Sequence, residues 1–167
     1  KGCAELVASS YRRSFLQEQG IGLASARAGN VIGGGDWAKD RLIPDCIKSW
    51  SVNKEVEIRS PKATRPWQHV LEPLSGYLTL ASLLSKNNIK PGEAYNFGPS
   101  ANQNRTVLDL LNEMSNYWKD CNWKITAGAE KPFYEAGLLK LNCDKALVEL
   151  GWKSTLNFEE TISMTVN

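Results

Sequence analysis

Apolar residues recur every fourth position at the start of the chain, at Cys3, Val7, Tyr11 and Phe15. This is the single stripe of an amphipathic helix over residues 3–19, which Gly20 and Gly22 end. Residues 23–32 read as a buried strand and the turn after it. Past a glycine cluster, Asp40 is placed to cap a helix whose stripe is Ile43, Cys46, Ile47 and Trp50, with Pro44 tolerated in its first turn. Val56 and Ile58 alternate with Glu57 and Arg59, the pattern of a short half-exposed strand. Pro73 opens a helix with Leu74, Tyr77, Leu78, Ala81 and Leu84 on one side. Residues 94–97 form a strand between Gly92 and Gly98. Thr106 and Asp109 have the spacing of a capping box before Val107, Leu110, Leu111, Met114 and Trp118. Residues 123–126 and 138–141 read as further strands. Asn142 caps a short helix that Gly151 stops, and Asn157 with Glu160 repeats the cap spacing for a last helix.

Strands alternating with helices predict an α/β architecture with parallel pairing. Only two strands precede residue 60, too few for a parallel sheet, and the apolar pattern begins at the first residues. The expectation is therefore a piece of a longer chain whose missing strands lie upstream.

Composition narrows the class without naming it. The 167 residues are 42% hydrophobic and 23% charged with a net charge of +2, the profile of an ordinary globular domain. That balance gives no general pull toward nucleic acid or an anionic membrane, and no apolar run is long enough to span a bilayer. Cys3, Cys46, Cys121 and Cys143 form no Cys-x-x-Cys pair, and His69 is the lone histidine. No metal site is expected, and four reduced, mostly buried thiols fit a cytoplasmic protein.

Two features carry chemistry. Gly29 to Gly35 follows a strand, as a phosphate loop would, but neither Gly-x-Gly-x-x-Gly nor Gly-Lys-Ser/Thr is present, which favours a glycine-rich turn with room for close approach to the backbone. Arg41, Arg59 and Arg65 lie in one stretch; converging guanidinium forks would hold a diphosphate, and the alternative is three solvated arginines. Trp67 reads as core before it reads as a base-stacking platform. Glu135, beside Tyr134, is equally a surface carboxylate and a hydroxyl acceptor in a pocket.

These signals occur in a familiar order. Ala26-Arg27-Ala28-Gly29-Asn30-Val31-Ile32-Gly33-Gly34-Gly35-Asp36-Trp37, then Asp40-Arg41-Leu42-Ile43-Pro44-Asp45, then Arg65-Pro66-Trp67-Gln68-His69-Val70 closely resemble the CDP-glucose 4,6-dehydratases, a branch of the extended short-chain dehydrogenases. Tyr95-Asn96-Phe97-Gly98-Pro99 and the run from Leu139 to Trp152 match later landmarks of that family. The opening Lys1-Gly2-Cys3 looks like the helix that follows its Tyr-x-x-x-Lys motif.

The resemblance implies the C-terminal part of an extended short-chain dehydrogenase: the end of the Rossmann domain, from residues 1–35 and parts of 60–100, plus the smaller substrate-binding domain. The N-terminal Rossmann half, with its glycine fingerprint, and a catalytic tyrosine four residues before Lys1 would lie upstream. It implies NAD as cofactor and CDP-glucose as substrate. By the same resemblance Lys1 is the catalytic lysine, which lowers the tyrosine's pKa and touches the cofactor ribose, and Val31 passes the nicotinamide. Asn30 meets the sugar-diphosphate region, Arg41 and Leu42 lie over the diphosphate and nucleoside, and Glu57 and Arg59 lie beside base and ribose. Arg65 grips the diphosphate, Asn102 (with Asn104 nearly as good an alignment) reaches the same group, and Glu135 contacts ribose or phosphate. It further implies a homodimer through helix 3–19, with Val7, Tyr11 and Phe15 as contacts; the alternative is that they face their own sheet. Tyr134-Glu135 stands where the family usually has His-Glu, and Asn142 where it has Asp.

Overall fold

The computed structural model describes residues 1–126 and 137–167. Helix α1 (Gly2–Tyr11) continues as a π-helical turn, Arg12–Leu16. Then follow β1 (Ser25–Ala28), β2 (Asn30–Ile32), α2 (Leu42–Trp50), β3 (Val56–Ile58), β4 (Thr64–Arg65), β5 (Trp67–His69) and α3 (Leu71–Ser85). The chain continues with β6 (Ala94–Phe97), β7 (Arg105–Thr106), α4 (Val107–Met114), β8 (Trp123–Ile125), α5 (Asp144–Leu150) and α6 (Phe158–Val166).

Pairing is mostly parallel, as the α/β reading requires. β1 runs parallel with β6, β2 with β5 and β3 with β8, while β4 and β7 are antiparallel. Residues 23–32 are not one buried strand. Ala26 and Arg27 are exposed, and the chain changes partner at Gly29, from β6 to β5. A Cβ at Gly29 would stand 2.9 Å from the Pro66 carbonyl oxygen, so only glycine lets the two segments run this close.

Two clusters of buried side chains hold the molecule. One gathers Trp50, Ile58, Trp67, Leu110, Met114 and Ile162 from α2, β3, β5, α4 and α6. The other gathers Leu80, Tyr95, Phe97, Leu150 and Trp152, with the Phe97 ring meeting Trp152 edge-on at 4.9 Å. The Tyr95 phenol donates to Glu149 at 2.8 Å, and burial with that neighbour raises its pKa to about 12.

Several local expectations need correction. The α1 stripe is uncovered within the described residues: Val7 is 66% exposed, and Tyr11 and Phe15 are 54% exposed. Asp40 does not cap α2. It adopts φ 60°, a left-handed turn, and extended Arg41 precedes the helix. The predicted face of helix α3 is only partly the buried one: Tyr77 and Leu84 do pack against the second cluster. Leu74 and Leu78 are exposed, whereas Pro73, Gly76 and Leu80 are buried. Gly76 decides this, because its missing side chain leaves room for the Phe97 ring. In place of a strand over 138–141 there is a single bridge, Leu138 to Thr64. Cys143, not Asn142, precedes α5, though Asn142 Oδ1 still accepts the Asp144 N–H at 2.9 Å. Of the four thiols only Cys46 is fully buried; Cys3 is exposed. Both capping boxes form as read.

The α3–Phe97 contact yields a test. A Cβ at Gly76 would sit 2.3 Å from Phe97 Cδ1, in a ring that is 0% exposed and boxed in by Tyr77 and Trp152. Gly76→Ala should therefore lower unfolding stability by about 1–3 kcal/mol in urea denaturation, despite alanine's better helix propensity. A stabilised variant would contradict this packing.

Candidate functional site

Alternation along β3 builds the first wall. Val56 and Ile58 are buried, so Glu57 and the following Arg59 are exposed on the opposite side. Beside them runs the first turn of α2, entered through Arg41 and Leu42. The floor is β2 in register with β5, where Asn30 pairs with Trp67 and Val31 with Gln68. Arg65 ends β4, with Pro66 alone between it and β5, and its Nη1 donates to the Thr64 carbonyl at 2.8 Å.

These pieces surround one cleft of about 360 Å³. Asn30, Val31, Arg41, Leu42, Glu57, Arg59 and Arg65, chosen from positions spread over 36 residues of sequence, all line it. Lys1 and Asn102 do not. Lys1 is exposed ahead of α1; Asn102 is exposed in a 3-10 turn, its Oδ1 accepting from Ser100 Oγ at 2.8 Å. Asn104, the alternative to Asn102, keeps its Oδ1 buried without a hydrogen-bond partner among the described residues. Glu135 and Tyr134 lie outside the described residues.

The cleft is not simply basic. Asp36, Asp40 and Asp45 line it with the three arginines, and the sequence reading singled out none of them for the site. Asp36 is committed to a local turn, accepting the Ala38 N–H at 3.0 Å, and Asp45 sits in the first turn of α2, where a negative charge complements the helix dipole. Trp67 was also passed over as core. It is core, at 6% exposed, but it also lines the cleft. A tryptophan between two apolar-patterned segments gives no sequence sign that it does both.

The frame behind the cleft is polar and well tied. Gln68, 1% exposed, donates through Nε2 to the Phe97 carbonyl at 2.8 Å, linking β5 to β6. Buried Glu72 accepts the Thr155 and Leu156 N–H groups at 2.9 and 2.6 Å, fixing the chain that leads into α6, and α6 packs on β5. His69 accepts the Leu71 N–H at 3.4 Å; burial lowers its pKa, against a smaller opposing pull from Glu72. Cys46, on the inner face of α2, is pushed up to about 12, first by burial and then by the nearby Asp45 charge, so this thiol is inert at neutral pH. Among the described residues no group of three His, Cys, Asp or Glu side chains is placed to hold a metal ion, and no helix is long and apolar enough to cross a membrane.

Val107 enters the cleft as the first residue of α4, so the Thr106–Asp109 capping box aims that wall. The Asp109 carboxylate accepts both Thr106 Oγ1 and Thr106 N, and these bonds lower its pKa from the ordinary 3.8. A carboxyl depressed by folding stabilises above its unfolded pKa, and that stability is lost as pH falls through the lower folded value. Thr106→Ala should cost about 1 kcal/mol at neutral pH. Asp109→Asn should flatten the fall in stability below about pH 4. Urea midpoints measured from pH 7 to pH 3 check both; an unchanged acid limb in Asp109→Asn would contradict the linkage.

No family model matches the chain. In sequence it is 49% identical over 172 residues to CDP-glucose 4,6-dehydratase of Salmonella typhimurium strain LT2, an alignment that covers 99% of this chain and 47% of that protein. The chain thus spans about half the length of the curated relative it matches. In structure it is similar to dTDP-glucose 4,6-dehydratase of Bacillus anthracis, solved with NAD, at a TM-score of 0.73 and 19% identity over 98% of this chain and 48% of that one. It is likewise similar to UDP-glucuronic acid 4-epimerase of Bacillus cereus, solved with UDP-glucuronic acid and NAD, at a TM-score of 0.78 and 19% identity over 97% and 48%. The α/β fold is therefore one that nucleotide-sugar dehydratases and epimerases share over about half of their length.

Proposed function

We propose that this chain is the sugar-nucleotide-binding part of a CDP-glucose 4,6-dehydratase, which converts CDP-glucose to CDP-4-keto-6-deoxyglucose and water. The observation that carries the reading is the convergence of Asn30, Arg41, Glu57, Arg59 and Arg65 on one cleft. The 49% identity to a dehydratase of that name supports it.

In this reading Arg65 and Arg41 hold the diphosphate through charge-assisted hydrogen bonds, and Arg59 lies beside the base and ribose. Asn30 orients the glucosyl-diphosphate junction, Leu42 covers the nucleoside, and Glu57 faces the base and ribose. Asn102 and Glu135 are assigned to the phosphate and ribose end. Val31 stands where the nicotinamide would lie, and Lys1 beside the cofactor ribose. The chemistry NAD supplies when bound is hydride removal from C4 of the glucosyl unit and hydride return to C6 after water has left across C5–C6. These 167 residues contain no glycine fingerprint for its pyrophosphate, so Lys1 and Val31 are only a fraction of its site. Lys1 acts on a tyrosine supplied from outside these residues. Its positive charge favours the tyrosinate that takes the proton from the C4 hydroxyl.

The isolated chain should consequently give no 4-keto product from CDP-glucose and NAD, whereas the full-length protein should. Product from the isolated chain would overturn the assignment of Lys1. In the full-length protein CDP should compete better than UDP or dTDP, and Arg65→Ala should weaken CDP by about tenfold to a hundredfold, the effect of removing a charge-assisted contact. Preference for UDP would favour an epimerase instead.

The exposed α1 stripe supports a homodimer through helix 3–19. Leu6, Val7, Tyr11 and Phe15 present an apolar strip that a second copy would bury. Light scattering of the full-length protein should give a dimer, and Val7→Glu with Tyr11→Glu should shift it to monomer. A monomeric parent removes this claim without touching the cleft.

A further inference from the structure

Glu57 and Arg59 stand two residues apart, so both project from the exposed face of β3 while Val56 and Ile58 fill the core. Thr126 N donates to the Ile58 carbonyl at 3.1 Å, which carries the ladder past the last residue of β3 and keeps Arg59 in line with Glu57. Both residues line the cleft. Their opposite charges do not close on each other. Among the described residues no ion pair joins them, and none joins Glu57 to Lys124, its register partner on β8, which is not part of the cleft lining.

A carboxylate is out of place in a cleft for a diphosphate unless a donor meets it. The aspartates of the cleft have local roles: Asp36 and Asp40 belong to turns, and Asp45 to a helix N-terminus. Glu57 stands on a strand, where no turn or helix end needs it. Its pairing with Arg59 has a chemical meaning. A carboxylate only accepts hydrogen bonds, and a guanidinium only donates them. Side by side they complement an edge that presents a donor next to acceptors. Cytosine has that edge: its 4-amino group donates, and its N3 and O2 accept. Uracil and thymine reverse the first two positions, with O4 accepting and N3–H donating.

We infer that Glu57 and Arg59 are the specificity-determining pair for the base, Glu57 accepting from the 4-amino group of cytosine and Arg59 donating to N3 and O2. This rests on the nucleotide-sugar reading of the cleft and adds to it a cause for the choice of cytosine. The same two groups reject uracil. Glu57 would face the lone pairs of O4, and Arg59 would face an N–H. Repulsion of the wrong ligand discriminates further than a contact that is merely absent.

The test measures dissociation constants of the full-length protein by titration calorimetry with three diphosphates. They are CDP, UDP and the diphosphate of 2-pyrimidinone riboside, which keeps N3 and O2 but lacks the 4-amino group. The wild type should bind CDP about tenfold more tightly than the pyrimidinone analogue, the effect of one hydrogen bond to a charged acceptor, and UDP more weakly than either. This arm needs no variant. Glu57→Gln, whose amide both accepts and donates, should tighten UDP binding and cut the preference for CDP over UDP by about tenfold. Arg59→Ala should weaken CDP and the pyrimidinone analogue by the same factor, because both keep N3 and O2. A Glu57→Gln protein that keeps the wild-type preference for CDP over UDP would overturn the inference while leaving the cleft assignment intact. Equal wild-type affinity for CDP and the pyrimidinone analogue would also overturn it, because the 4-amino group would then have no partner. If the wild type binds none of the three, the nucleotide reading itself fails, and that is seen before any variant is compared.

Discussion

The passage of the chain through Gly29 is the constraint on which the cleft depends. β1 ends at Ala28 against Phe97 of β6, and β2 begins at Asn30 against Trp67 of β5. Between them Gly29 N donates to the Phe97 carbonyl at 3.2 Å, and its missing Cβ admits the Pro66 carbonyl. One residue thus joins two parallel pairs that share no strand. The same Phe97 carbonyl accepts Gln68 Nε2, so the carbonyl that holds the switch also holds β5 in place. Without that convergence Asn30 and Val31 would have no fixed relation to Arg65 and Trp67.

The elements legible in the sequence were those whose cause is local. Thr106 with Asp109, and Asn157 with Glu160, form capping boxes because three-residue spacing alone brings side chain to backbone. Gly151 ends α5 at φ 66° because only a residue without Cβ sits there cheaply. Val56 and Ile58 read as a strand because alternation and burial agree. Where burial is decided by a distant partner, the pattern misled. Leu74 and Leu78 satisfy the helical period as well as Gly76 and Leu80 do, and the choice belongs to Phe97, some twenty residues away. Residues 23–32 look continuous because nothing in a run of small and apolar residues announces a change of partner. Asp40 was a reasonable cap by type, but a left-handed φ removes the geometry a cap needs.

The grouping of the arginines was legible for a different reason. Arginines grouped along a short stretch point to an anion by their chemistry, whatever strand carries each of them. The resemblance then fixed which neighbours mattered, and Asn30, Arg41, Glu57 and Arg65 do meet in one cleft. Asp36 and Trp67 were missed because each has a complete structural explanation at the level of sequence: turn former and core aromatic.

The acidic residues in the cleft bear on how an anion could be held there. Three aspartates and Glu57 against three arginines would outweigh them by one charge if every group faced the ligand equally. They do not. Asp36 spends an oxygen on the Ala38 N–H, and Asp45 lies in the first turn of α2, where the helix dipole favours a negative charge. For Arg65, donating Nη1 to the Thr64 carbonyl leaves the delocalised charge of the guanidinium in place. Asp36 and Asp45 thus belong to the loop and the helix turn on either side of Arg41, and the cleft presents both signs of charge.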